Sequence, residues 1–258
     1  MVAVDPHWGL VPTSDNVEQR RASFGTDVAA YHALRPRYPH EAIKWLVGQP
    51  PKAVLDLGAG TGILTEQLTQ LGHLATGVEP DDRMRAHAES NGMSVLAGRA
   101  EGIPVSDNAY DVVVAGQAWH WFNRTTATRE VARVLRPDGH LGVLWNLRDE
   151  SVKWVAELGD IVGGEDRTRV TGSDCPPGLG YPFGAPTVRR FRHAVYLTTA
   201  QVHGLARTLS YVSQHDDRAL VLATVEKLLA RIASGTTMHQ LPYVCIAALF
   251  PLDPGPAK

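Results

Sequence analysis

Cysteine is nearly absent from this chain: 2 in 258 residues, Cys175 and Cys245. They stand far apart and show no zinc-binding spacing, which argues against a zinc knot and a disulfide framework. Two separated thiols fit a reducing, cytoplasmic setting. No two histidines fall at ligand spacing beside an acid, so no metal site is expected. No apolar run approaches the ~20 residues that cross a bilayer. The N-terminus lacks the basic start and apolar stretch of a secretory leader. A membrane role is therefore not expected. Excess charge is missing too. Lys and Arg number 25 against 27 Asp and Glu, a net charge of −2, which leaves no electrostatic footprint for nucleic acid. The cluster Arg189, Arg190 and Arg192 reads as a solvated strand edge. Lysine is scarce while arginine and alanine are plentiful, a hint of a GC-rich bacterial genome. No internal repeat or low-complexity segment is found.

What is present begins at Val54-Leu55-Asp56-Leu57-Gly58-Ala59-Gly60-Thr61-Gly62. An apolar strand runs into an acid and then three glycines. Ile63, Leu64, Leu68 and Leu71 follow at helical spacing. Strand, glycine turn and helix let a nucleotide-like ligand lie against bare backbone, and a side chain at Gly58 or Gly60 would take the ligand's place. The spacing G-x-G-x-G differs from the G-x-G-x-x-G of dinucleotide binders, and no Lys-Ser pair follows as in a phosphate loop. A second apolar run, Leu74 to Val78, ends at Glu79, where a ribose hydroxyl would need an acceptor. A third element follows at Gly98 to Pro104. Asp111 to Ala115 reads as a buried parallel strand. Arg133 to Leu141 reads as a helix end and a turn, followed by a strand from Leu141 to Trp145.

Residues 1 to about 20 lack periodicity and read as mobile. Residues 21–48 hold one or two helices broken at Arg35-Pro36. Residues 151–170 read as helical, and 171–186, crowded with Gly and Pro, as a surface loop or lid edge. A sixth strand is expected at Val188 to Leu197, two helices between about 199 and 234, and a seventh strand at Tyr243 to Phe250.

In this order the motifs resemble those of class I S-adenosylmethionine (SAM)-dependent methyltransferases, over roughly residues 20–148. Within that superfamily the chain is similar to the type 11 domain family and to the group containing trans-aconitate methyltransferases. The narrower likeness rests on Phe24, on Tyr31-x-x-x-Arg35-Pro36-x-Tyr38-Pro39, and on Ala118-Trp119-His120-Trp121-Phe122. The resemblance implies an α/β fold: a doubly wound, seven-stranded, mostly parallel sheet with helices on both faces and an antiparallel last strand. It implies an N-terminal segment and helical lid over 1–48, then a SAM-binding domain over 49–258 with substrate-side helices around 151–187 and 199–234.

The cofactor implied is SAM. Its residues are Asp56 at the methionine end, Gly58, Ala59, Gly60 and Gly62 under the ligand, Glu79 on the ribose, and Pro80, Ala100 and Glu101 near the adenine. Many relatives carry an acid where Arg99 stands, so Glu101 or a backbone carbonyl takes the adenine amino group here. Gln117 follows the fourth strand at the ligand edge. Tyr31 and Arg35, four apart on one helix face, suit a carboxylate; a surface Tyr–Arg stack is the structural alternative. Trp119, Trp121 and Phe122 suit a wall beside a sulfonium. His120 suits a general base, although a structural histidine fits nearly as well. Asn146 and Arg148 complete the substrate side, and Trp145 reads as core. The expected partner is a small-molecule acceptor, carboxylate or hydroxyl. The alternatives are an RNA or protein target, a SAM-binding protein without catalysis, and, from a different class, an NAD-dependent oxidoreductase.

Overall fold

The computed structural model describes residues 4–5, 9–10, 28–163, 178–209, 212, 215–233 and 238–253. Phe24, Cys175, Tyr211 and the first part of the Gly/Pro-rich loop lie outside the described residues. Two dipeptides near the start, Val4–Asp5 and Gly9–Leu10, pair as an antiparallel ribbon. The lack of periodicity over residues 1–20 gave no sign of it.

The central sheet has seven strands: β1 (Ala53–Leu57), β2 (Leu74–Glu79), β3 (Val95–Ala97), β4 (Tyr110–Gly116), β5 (Leu135–Arg148), β6 (Thr187–Thr198) and β7 (Met238–Pro251). Their order across the sheet is β3-β2-β1-β4-β5-β7-β6. The first five are parallel. β7 runs antiparallel to both β5 and β6. The sheet order reverses at β1 and β4, so their carboxyl ends open a crevice there, the usual ligand position in such sheets.

The helices are α1 (Val28–Leu34), α2 (His40–Val47), α3 (Ile63–Gln70), α4 (Asp82–Ser90), α5 (Arg124–Val134), α6 (Lys153–Val162), α7 (Thr199–Arg207) and α8 (Arg218–Ile232). Local chemistry sets several of their starts. The Asp81 side chain accepts from the N–H groups of Arg83 and Met84 to open α4, and Asn123 accepts from Thr126 to open α5. Thr198 and Gln201 form a capping box at α7. Each cap satisfies N–H groups that the first turn leaves bare.

Three apolar clusters hold the layers together. Ala127, Val131 and Val134 of α5 pack on one face of the sheet with Trp119 and Trp145. Ile43, Leu46, Leu64 and Leu68 of α2 and α3 pack on the other. The third cluster joins α6, α7 and α8 to the ends of β6 and β7, through Val155, Leu158, Val202, Leu205, Val225 and Leu229 against Leu241 and Tyr243. β5, β6 and β7 all have this end at the carboxyl edge of β1–β4, so the helical cluster stands beside the crevice.

Three strands differ from their sequence reading, the seventh by starting at Met238, five residues before Tyr243. The third strand lies at Val95–Ala97, and residues 98–104 form a turn in which Gly102 N–H donates to Arg99 O at 3.1 Å. The fifth strand starts at Leu135, earlier than expected. Tyr110 pairs with Leu135, but Val112 pairs with His140, so residues 136–139 loop out of the ladder. Pro137 is tolerated there because an out-looped residue owes the ladder no N–H. Among the described residues no helix is long and apolar enough to cross a membrane.

Candidate functional site

The glycine loop links the end of β1 to α3. Gly58, Gly60 and Gly62 have φ of +72°, +58° and +83°, the left-handed region that glycine enters without penalty. Gly58 and Ala59 donate N–H to Val78 O at 2.9 and 3.1 Å, which ties the loop to β2. A Cβ at Gly58 would lie 2.7 Å from Ala118 Cβ and 3.1 Å from Phe122 Cζ. The glycine at 58 thus lets the turn after β4 pack against the loop. A Cβ at Gly60 would meet nothing nearer than Met84 Sδ at 3.7 Å. A Cβ at 60 would thus find room without a clash, as a floor under a ligand would allow.

Glu79 ends β2 beside this floor. Its carboxylate accepts from Gly60 N–H at 2.8 Å and Asp81 N–H at 2.9 Å. Asp56 is buried, and its partner is the Thr65 hydroxyl on α3, at 2.7 Å. Burial pushes its carboxyl up to about 7, opposed by the Thr65 hydrogen bonds and aided by the nearby Glu79 charge. Ala100 is buried and Pro80 half-buried. Glu101 accepts from Asn123 N–H at 2.7 Å and so fastens the 98–104 turn to the start of α5.

Gln117 has φ +53°. Its backbone N–H donates to Leu144 O at 2.8 Å and its Nε2 to Asn146 O at 2.8 Å. Oε1 is buried with no hydrogen-bond partner among the described residues. An unsatisfied acceptor on the carboxyl edge, an acid at the end of β2 and a bare backbone floor are the features that SAM needs, and in that respect the residues fit it.

The aromatic turn divides. Trp119 is 1% exposed and belongs to the core, meeting Phe122 edge-on at 5.6 Å. The 3₁₀ turn over Trp119–Trp121 points successive rings in different directions. His120 and Trp121 are half-buried, with ring centroids 4.8 Å apart. Trp145 is core, as read from the sequence.

Asn146 stands near the end of β5 and is tied to other elements. It is 6% exposed, and its Nδ2 donates to Pro36 O and Arg37 O at 3.2 Å each. Its Oδ1 meets His193 Nε2 at 3.0 Å. The amide nitrogen thus holds the linker between α1 and α2. The same linker is gripped from α3. Gln67 accepts from Tyr38 N–H at 3.0 Å and donates to Tyr38 O at 2.8 Å. Arg148 is half-buried at the end of β5.

Tyr31 and Arg35 form the stack that their spacing allows, with the guanidinium carbon 4.6 Å from the ring centroid. Arg35 Nη2 donates to Thr208 O at 3.0 Å, just past α7. Several residues at this edge carried no sequence signal: His32, whose Nδ1 lies 3.1 Å from Thr61 Oγ1, His87 beside it, Gln67 and His193. Among the described residues no group of three or more His, Cys, Asp or Glu is placed to hold a metal ion.

Comparison with known proteins agrees with this layout. The methyltransferase domain family (Methyltransf_11) matches residues 55–143. An uncharacterized methyltransferase of Mycobacterium tuberculosis is 41% identical over 233 residues, which span 87% of this chain and 93% of that protein. An uncharacterized methyltransferase-like protein of Schizosaccharomyces pombe is 29% identical over 255 residues, 92% of this chain and 97% of that one. A solved candidate type II methyltransferase from Anaeromyxobacter dehalogenans shares the fold, with a TM-score of 0.64 and 23% identity over 86% of this chain and 99% of that one. The chain belongs to the methyltransferases, and its residues 55–143 match the methyltransferase domain family.

Proposed function

We propose that this methyltransferase acts on a small-molecule acceptor bearing a carboxylate or a hydroxyl, between the aromatic turn at His120–Phe122 and Arg148. The observation that carries this reading is the packing of Phe122 against Gly58, which sets the His120–Trp121 pair next to the cofactor loop. SAM, when bound, supplies an electrophilic methyl on a sulfonium. The protein's part is to orient and to exclude water. In this reading Glu79 and the Gly58–Gly62 backbone hold the cofactor, and residues 1–48 act as a lid over it. The helices of 151–187 and 199–234 form the acceptor side. Orientation of this kind can remove roughly 7–11 kcal/mol of a barrier.

Arg148 suits an anionic acceptor, because a guanidinium pairs with a carboxylate through two parallel hydrogen bonds. A carboxylate nucleophile needs no base. A phenol or a carbon acid does, and His120 then accepts its proton. The near-neutral charge of the chain disfavours an RNA substrate, whose phosphates usually require a basic surface.

The test is a methylation screen of small carboxylic acids and phenols, read by mass, with three variants. Glu79→Gln keeps one acceptor oxygen for the loop and should weaken SAM binding by about 1.5–3 kcal/mol, the range for hydrogen bonds to a charged group. Arg148→Ala should cost acceptor binding. His120→Ala should cost rate for phenols and leave carboxylates alone. Turnover on no small molecule, with methyl transfer to RNA or protein instead, overturns the proposal.

A further inference from the structure

We propose that His32 is a positioning residue for the cofactor loop: its imidazole latches α1 onto Thr61, and protonation of His32 beside the facing ring of His87 releases the latch. The proposal rests on the reading that SAM lies on the glycine loop. Thr61 stands between Gly60 and Gly62 and is buried. Its hydroxyl lies 3.1 Å from His32 Nδ1, so one hydrogen bond joins α1 to the loop across 29 residues of sequence. His87 of α4 faces the same ring, with centroids 4.9 Å apart and planes tilted by 53°. His87 Nε2 is buried with no hydrogen-bond partner among the described residues.

The charged groups around His32 oppose its protonation. From α4 comes His87, from the linker Arg37 and from α3 Glu66. Glu66 is the one favourable charge, and it is paired with Arg37 at 2.6 Å. On the α7 side Leu34 closely approaches Gly204, and just past both helices Arg35 donates to Thr208 O. Burial, then His87, then Arg37 hold the His32 imidazole below its ordinary value of 6.5. The hydrogen bond itself survives protonation, since a charged ring can still donate to a hydroxyl. What fails is the enclosure of a charge beside a second imidazole.

With α1 released, His32 returns toward its ordinary value and binds protons more readily. The released form therefore holds more protons than the latched form as pH falls below about 6.5, and acid favours release. The latch is intact above about pH 7 and weakens as pH falls through 6.5.

The probe is S-adenosylhomocysteine, titrated calorimetrically into the full chain at pH 5.5, 6.5, 7.5 and 8.5. The wild type should lose affinity severalfold between pH 7.5 and 5.5, and no more than about tenfold per pH unit if a single proton is linked. His32→Asn places an amide nitrogen where Nδ1 stands and cannot titrate. It should bind within about threefold of wild type at pH 7.5 and show a flattened pH profile. His32→Ala should bind more weakly at every pH. His87→Asn should flatten the profile in part. A wild-type profile that is already flat, or one that persists unchanged in His32→Asn, overturns the latch alone. No binding at any pH overturns the cofactor-site reading and the latch with it.

Discussion

Alanine at Gly58 and alanine at Gly60 should damage the protein in opposite ways, although both residues adopt left-handed backbone two positions apart. At either site a Cβ carries a backbone penalty of roughly 1–2 kcal/mol. At Gly58 a steric term is added. Ala118 Cβ would be 2.7 Å away and Phe122 Cζ 3.1 Å away. Ala118 belongs to a turn locked by the Trp121 N–H bond to its own carbonyl, 2.9 Å, so it cannot easily yield. Overpacking of this kind costs about 1–3 kcal/mol, so Gly58→Ala should lose about 2–5 kcal/mol in total. At roughly 2–4 °C per kcal/mol for a chain of this size, its Tm should drop by at least about 4 °C. Gly60→Ala should lose only the backbone term, because its Cβ meets nothing within 3.7 Å. Its defect should appear in binding, where the added methyl occupies the floor beneath the ligand. Loss of one charge-assisted contact, about 1.5–3 kcal/mol, is a weakening of on the order of 10–100-fold. Thermal melts and calorimetry with S-adenosylhomocysteine on both variants give a two-by-two result. If Gly60→Ala binds like wild type, the cofactor does not rest on this loop. If Gly58→Ala melts like wild type, the close approach of the two turns is not what glycine serves there.

Three further outcomes are expected. Asp56→Asn should stabilise the protein at pH 8: a carboxyl whose value is raised from 3.8 to about 7 by burial favours its neutral form in the fold, and its stability contribution is complete below 3.8 and lost as pH rises through 7. The gain is at most about 4 kcal/mol and should vanish near pH 4; equal Tm differences at pH 4 and pH 8 would refute the assignment. Asn146→Ala removes both bonds to the linker carbonyls and strands His193, a loss of about 1–3 kcal/mol. Hydrogen exchange should quicken in residues 28–38 and not in α8, and uniform exchange would show that the linker does not depend on Asn146. Turnover should survive prolonged EDTA, and a loss restored by one divalent ion would show a metal requirement.

The parts that could be read from the sequence are those whose chemistry is local. Val54 to Gly62 declares its strand, turn and helix within nine residues, and Glu79 follows one strand later. The break at Arg35-Pro36 separates α1 from α2, since the residue before a proline leaves helical geometry. The structural partners of Asn146, Pro36 and Arg37, lie 110 and 109 residues away, and no pattern along the chain marks such a pairing. Arg35 finds Thr208 across 173 residues. The burial of Trp119 was hidden for a different reason: four aromatic side chains in a row look like one surface, but a 3₁₀ turn sends one of them into the core. His32 and His87 are 55 positions apart, and only the docking of α1 brings their rings together.

The placement of α1 has a consequence for how the two ligands depend on each other. One short helix touches the cofactor loop through His32 and α7 through Leu34 and Arg35. In the proposed reading, α7 borders the acceptor. A ligand that steadies α1 from either side lowers the ordering cost left for the other. Binding free energies are reciprocal, so whatever factor the cofactor adds to acceptor affinity, the acceptor returns to the cofactor. Demethylated cofactor and methylated product would then leave more readily one after the other than either would from the filled site, and turnover would be governed by which of them first lets the helix go.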